Sequence, residues 1–385
     1  MNVEPFAVNR KLLLEAIDRC LSAIVSQVSY HCSGRLGRVK VTLCTALLSL
    51  LVSFPHYGLL RTLDSDINMQ ALMVKFHNPL APIPPQLKDI SIYDGFASHN
   101  DKLELRLTLP ILGWLFGTGR WTVVILNHLA ALGVFYLLAK LGSEALEDDV
   151  GGALFVLAIA PTYFGSWFFG DYIFGDGIAF LLLLLCIAFR NVVLCSFWFL
   201  AAAFTDERCV AAVPLLLLYF AVSHGRDEEK TFRRKHYIAI LVGAGMWLLL
   251  RVWVAHTYHL TTGSSGLGDR WLVEQNLFEG LPHVFPNVFK MAWMLPLFAV
   301  FCLLRQRRWA ASLVYAGAFA IAILPAFLVF DFDRSVCYSF TILLTSLYFL
   351  RGEKVAAQKC LAAILVLNVL WHSPGHSILR MAFRK

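Results

Sequence analysis

Charge is what this chain has least of. Asp, Glu, Lys and Arg make up only 15% of its 385 residues, against 58% hydrophobic and 14% aromatic residues. So few polar side chains cannot coat a soluble globule of this size, and an integral membrane protein is expected. Paired cysteines are missing as well. The nine Cys stand singly at positions 20, 32, 44, 186, 195, 209, 302, 337 and 360, so neither a zinc ribbon nor a disulfide scaffold is expected, and they read as small packing residues. The sequence shows no internal repeat, low-complexity tract or soluble linker domain. Met1 to Lys40 holds six Lys/Arg and no continuous apolar core, unlike a signal peptide, and the first span is expected to drive insertion.

What is present is a series of apolar runs at about 40–60, 121–139, 150–168, 177–189, 192–205, 209–224, 237–256, 286–304, 309–330, 335–350 and 360–373. These predict an all-α bundle of about 11 transmembrane helices. Several runs are only about 13 to 16 residues, short for a hydrocarbon core of about 30 Å, as helices that stop early at a cavity would be. Residues 1–39 read as a cytoplasmic amphipathic segment, with Leu12, Leu13, Leu14, Ile17, Leu21, Ile24, Val25 and Val28 at helical spacing between Arg10, Lys11 and Arg19; such a helix lies on a membrane surface, and the bland alternative is a helix packed on the cytoplasmic loops of the bundle. Residues 40–385 form a single polytopic membrane domain.

Basic residues cluster at 10–40, 226–235, 305–308 and 351–359. With eleven spans all four clusters share one side, which then carries a net +8 against −1 on the other. The basic side, with the N-terminus, is therefore expected in the cytoplasm. Topology thus accounts for the overall +7, and no nucleic-acid partner is required.

The same parity places a set of acidic clusters on the opposite, extracytoplasmic side. The first loop there, 61–120, opens with Asp64-Ser65-Asp66, carries Pro79, Pro82, Pro84, Pro85 and then His99 and Asp101, and ends in an amphipathic stretch, 103–116, expected to lie along the surface as a helix. Long loops tend to carry function. A second loop, 257–285, begins with Thr261-Thr262-Gly263-Ser264-Ser265-Gly266 and reads as a lid. Asp171 and Asp176 sit in an aromatic, glycine-rich turn. Asp206-Glu207-Arg208 and Asp331-Phe332-Asp333-Arg334 cap later spans, where keeping charge beside the membrane costs several kcal/mol and marks function by default. Arg251 lies just inside the outer end of its span. Bland readings stand beside these: helix caps for Asp64 and Asp66, turn residues for Asp171 and Asp176, a self-neutralising hairpin for 206–208, snorkelling for Arg251 and a plain loop histidine for His99.

A many-span bundle, a first extracytoplasmic loop opening with Asp-x-Asp, a surface helix after it and acids in later outer loops together resemble the GT-C superfamily of polytopic glycosyltransferases. The resemblance covers most of the chain as architecture and a few residues as motif. It implies a lipid-linked sugar donor, carried on a polyprenyl phosphate, and a glycan or lipid acceptor. It also implies that Asp64 or Asp66 acts as base toward the acceptor, or that both help hold a divalent ion, Mg or Mn. A departing phosphate needs positive charge, which arginine supplies through bidentate bonds; Arg208 and Arg334, then Arg251, are the expected ligands, with His99 and the later acids around them. The outer loops after the first are short, which disfavours a peptide acceptor. A polytopic transporter or flippase is the competing reading, though transporters place coupling charges near the bilayer midplane, often in repeated halves. A polysaccharide polymerase or ligase outside the GT-C superfamily would not need the Asp-x-Asp.

Overall fold

The computed structural model describes residues 4–32, 36–53, 65–88, 101, 103–117, 119–170, 175–223, 230–261, 268–329 and 331–371. Within these the chain is all-helical, with no strand. In order the helices are α1 (Glu4–Cys32), α2 (Gly37–Ser53), α3 (Ile67–His77), α4 (Thr108–Phe116), α5 (Arg120–Leu146), α6 (Asp149–Ile159), α7 (Tyr163–Gly170), α8 (Asp176–Ala188), α9 (Val192–Thr205), α10 (Val213–Ser223), α11 (Lys230–Tyr258) and α12 (Arg270–Gln275). A π-helix, Asn276–Val284, leads into α13 (Phe285–Phe289), α14 (Met294–Arg305), α15 (Trp309–Ile323), α16 (Phe332–Cys337), α17 (Thr341–Leu347) and α18 (Lys354–Leu370).

Four helical stretches among the described residues are long and apolar enough to cross a bilayer: Arg120–Leu146, Arg234–Tyr258, Arg270–Arg305 and Trp309–Leu328. On α11 the side chains of Ile238, Leu241, Leu248, Leu249, Val252 and Trp253 are exposed, a face that water would penalise and lipid tails accept. Helices α6, α8 and α9 are apolar but shorter. The expected run 150–168 is broken at Pro161 into α6 and α7, and 209–224 opens as a 3-10 turn, Glu207–Ala212, before α10. Proline and cap residues thus divide runs that composition alone joins.

The core is built on α5, which packs against α2, α6 and α8, while α6 also packs on α18 and α9 on α8 and α11. Between α5 and α6 the approach is close because the facing residues are small. A Cβ on Gly152 would lie 2.5 Å from the Ser143 nitrogen and 2.7 Å from the Ala139 carbonyl. Small residues of this kind let helices in lipid gain van der Waals contact where no hydrophobic force draws them together.

At one end of the bundle the turn Glu147-Asp148-Asp149 gathers two cations and an amide from distant segments: Glu147 pairs with Arg351, Asp149 with Arg38 at 3.1 Å, and Asp148 accepts from Gln358 at 2.8 Å. Helix α1 packs along α18 and α6 here, and Asp18 pairs with Lys359 at 2.5 Å. The leucines at 12–14 stay exposed.

Gly152→Ala is expected to destabilise the protein by about 1–3 kcal/mol, since the Ser143 and Ala139 backbone would have to move as well as the Ser143 hydroxyl. Gly245→Ala, where a Cβ meets nothing within 4 Å, is expected to be neutral or mildly stabilising. Thermal unfolding in detergent checks both; equal effects would rule out the close α5–α6 approach.

Candidate functional site

The later acidic turns meet at the end of the bundle opposite the Glu147 turn. Gly175 adopts φ +72°, a left-handed conformation that glycine takes without strain, and this turn delivers Asp176 as the first residue of α8. A helix N-terminus favours a carboxylate there. Asp206 ends α9, and its carboxylate also caps the following 3-10 turn by accepting from the Arg208 nitrogen at 2.9 Å. Arg334 sits in the short helix α16.

Asp176 is the centre. Its side chain is 1% exposed; Arg334 approaches one oxygen at 2.7 Å and Arg208 the other at 3.0 Å, and the Tyr338 hydroxyl donates to it at 2.9 Å. Arg208 continues to Asp206 at 2.5 Å, Asp206 to Arg106 at 3.2 Å, Arg106 to Glu207 at 3.1 Å, and Glu207 to Arg251 at 4.0 Å. On the other side Arg334 meets Asp331 at 3.0 Å. Four guanidiniums and four carboxylates therefore alternate in one chain with no net charge. Burial would push the Asp206 carboxyl up, but the Arg106 and Arg208 guanidiniums outweigh it and hold it well below the usual carboxylate range.

Beside this chain lies a cleft of about 410 Å³ whose lining joins Glu207, Arg208 and Ser335 to the apolar Val210, Pro214, Ile321 and Pro325. A second polar knot ties the first-loop region to the segment after α11. Glu104, fully buried, accepts from the Ile83 nitrogen at 2.9 Å and from the Thr261 nitrogen at 2.6 Å, and pairs with Lys88 at 3.2 Å. Lys75 donates to the carbonyls of Ala81 and Glu104, and burial pushes its ammonium down to about 8 against the pull of Glu104.

Of the residues singled out in the sequence, the structure brings together Asp176, Asp206, Glu207, Arg208, Arg251, Asp331 and Arg334. Asp333 lies at the edge of this group, accepting from the Arg334 nitrogen at 2.8 Å and from the Tyr163 phenol. Asp66 is the N-cap of α3, its Oδ1 accepting from the nitrogens of Asn68 and Met69 at 2.9 and 3.0 Å, and it makes no ion pair with the later turns among the described residues. Asp64, Asp171 and His99 lie outside the described residues. Arg106 and Tyr338 escaped sequence reasoning. The signal for Arg106 was the alternation Leu103-Glu104-Leu105-Arg106-Leu107, in which each charge is flanked by leucines that are buried.

Among the described residues no group of three or more His, Cys, Asp or Glu gathers as a metal site would. The buried carboxylates Asp176 and Asp206 face guanidiniums, and the donor set is that of an ion-pair chain, so no step is assigned to Mg or Mn. No protein-family model, no curated protein and no solved structure matches this chain. The site therefore has to be read from its own chemistry.

Removing one member of a buried ion pair leaves the other uncompensated, so Asp206→Asn is expected to cost about 3–5 kcal/mol. Asp331→Asn, at the partly exposed end of the chain, is expected to cost less than about 1 kcal/mol. Because the folded-state pKa of Asp206 is depressed, its contribution is complete above about pH 5 and is lost as pH falls through the folded value. Unfolding midpoints of the two variants, and of the parent protein from pH 7 down to pH 2, check this; equal losses would mean that the chain is not a buried unit.

Proposed function

We propose that the protein is an integral membrane glycosyltransferase of GT-C-like architecture. On this reading it has about 11 spans and a cytoplasmic N-terminus, and at the extracytoplasmic face it moves a sugar from a polyprenyl-phosphate carrier to a glycan or lipid acceptor. The observation that carries the proposal is the cleft beside the ion-pair chain: apolar side chains line it for a hydrocarbon tail, and Arg208 lines it for a phosphate. Further support comes from α3 and α4, two helices within 67–116 that pack on each other, as a structured first loop requires, and from the apolar helices of span length.

In this mechanism the acceptor hydroxyl attacks the anomeric carbon while Asp64 or Asp66 takes its proton. Capping uses only Oδ1 of Asp66, so Oδ2 is the oxygen that serves as base. The bond from the anomeric carbon to the phosphate oxygen breaks, and the charge gained by the leaving phosphate is met by Arg208, with Arg334 held next to it by Asp176. Carboxylates on both sides fix the guanidiniums in advance, so little reorganisation accompanies charge development.

A flippase would use the same cleft for the same tail but would break no glycosidic bond. With the protein in lipid vesicles and a polyprenyl-phosphate sugar as donor, the expected result is released polyprenyl phosphate and a glycosylated acceptor. Asp64→Asn or Asp66→Asn is expected to abolish this in a folded protein, and Arg208→Lys, which keeps the charge but loses the fork, to lower turnover at least tenfold. Unchanged transfer in both aspartate variants sinks the assignment of the base. Lipid translocation without transfer in the parent protein favours the flippase.

A further inference from the structure

Glu207 binds Arg106 side-on, its two oxygens meeting Nε and Nη2 at 3.2 and 3.1 Å. Nη2 also lies 3.2 Å from Asp206. Nη1 is left on the far edge of the guanidinium, turned away from both carboxylates; it is buried and meets no hydrogen-bond acceptor among the described residues. The indole Nε1 of Trp247 is in the same position.

The two donors belong to one neighbourhood. Trp247 packs on the apolar cluster of Leu105, Leu107 and Phe204, and the two leucines flank Arg106 in the chain. Arg251, one turn beyond Trp247 on α11, stacks over the indole ring at 5.2 Å and reaches Glu207. Two guanidiniums thus share the Glu207 carboxylate while Asp206 is committed to Arg208 as well. Each buried N–H left without an acceptor costs about 1–3 kcal/mol, and a buried polar group of this kind calls for a partner that can accept.

We propose that Arg106 Nη1 and Trp247 Nε1, with the Arg251 guanidinium beside them, form a binding site for one small monovalent anion of the halide class. A halide accepts N–H bonds from any direction and tolerates apolar walls. A phosphate would have to exchange a larger hydration shell for only these few donors, which makes it the poorer fit. The site shares Glu207 with the cleft and stands independently of the transferase reading.

Thermal unfolding of the full-length protein in detergent, at matched ionic strength in sodium chloride and sodium gluconate, is the test. The midpoint is expected to rise with chloride and to saturate, as binding to the folded state alone requires. Trp247→Phe, which keeps an aromatic ring and removes the N–H, is expected to weaken the chloride response at least fivefold. Equilibrium binding of radioactive chloride to the parent protein is expected to show about one site displaced by bromide, a measurement that does not depend on the variant folding. No difference between chloride and gluconate, an undiminished response in the folded Trp247→Phe protein, or no bound chloride overturns the proposal; the first is also what a trapped water would give.

Discussion

A carboxylate buried to 1% exposure cannot stay ionised by itself, and the rest of the charged end follows from that constraint. Asp176 and Asp206 begin and end helices deep enough that water does not reach them, where an isolated charge costs many kcal/mol. Each therefore needs cations from other segments: Asp176 draws in Arg208 and Arg334, and Asp206 draws in Arg208 and Arg106. Because those arginines come from the segment before α4, the turn after α9 and the helix α16, pairing fixes where three separate stretches of chain must end. Shared guanidiniums turn separate pairs into one unit, so a disturbance at any member passes to its neighbours.

Backbone obeys the same rule away from the charges. Irregular stretches inside an apolar bundle persist only where their peptide groups are satisfied by protein. Lys290, at φ +49°, spends its ammonium on the carbonyls of Pro161, Asn368 and Trp371, the frayed ends of α6 and α18. Asn368 returns the favour by accepting from the Met291 nitrogen and donating to the Ala158 carbonyl. Asn276 donates its amide to three carbonyls at the unwound end of α15, those of Ala326, Phe327 and Val329. Single long polar side chains thus stand in for the water that a soluble protein would use, and they allow the π-helix and the 3-10 turns to exist where they do.

The sequence was legible where one physical signal dominated. Apolar runs mark helices because burial and lipid both demand them, and each run read from the sequence contains helix among the described residues, though 150–168 and 335–350 are interrupted by turns. Span length was less legible. Whether a helix continues past Pro161 or ends at Asp206 depends on local capping that hydropathy does not weigh. Charged turns were recognised as a group, since charge at the end of an apolar run is costly wherever it falls. Their pairing was not legible, because Arg106 lies 70 residues before Asp176 and over 200 before Arg334, and nothing local joins them. The spacing of Asp66 to Asn68 and Met69 is that of an N-cap, and with Asp64 the same carboxylate makes the Asp-x-Asp motif, so one residue satisfies both patterns.

An ion-pair chain of zero net charge looks at first like a poor phosphate site, because every guanidinium already has a carboxylate. The geometry of Arg208 qualifies this. Its bonds to Asp206 and Asp176 run through Nε and Nη2, leaving Nη1 out of the ion-pair chain, and the residue lines the cleft. On the proposed reading the lipid-linked donor is a phosphodiester with one negative charge, and its departing phosphate gains a second. A site that is neutral before the reaction and presents one fixed guanidinium edge binds the first state weakly and the second more strongly, which is the difference that lowers a barrier. Carboxylates that seem to compete for the arginine serve instead to hold it still.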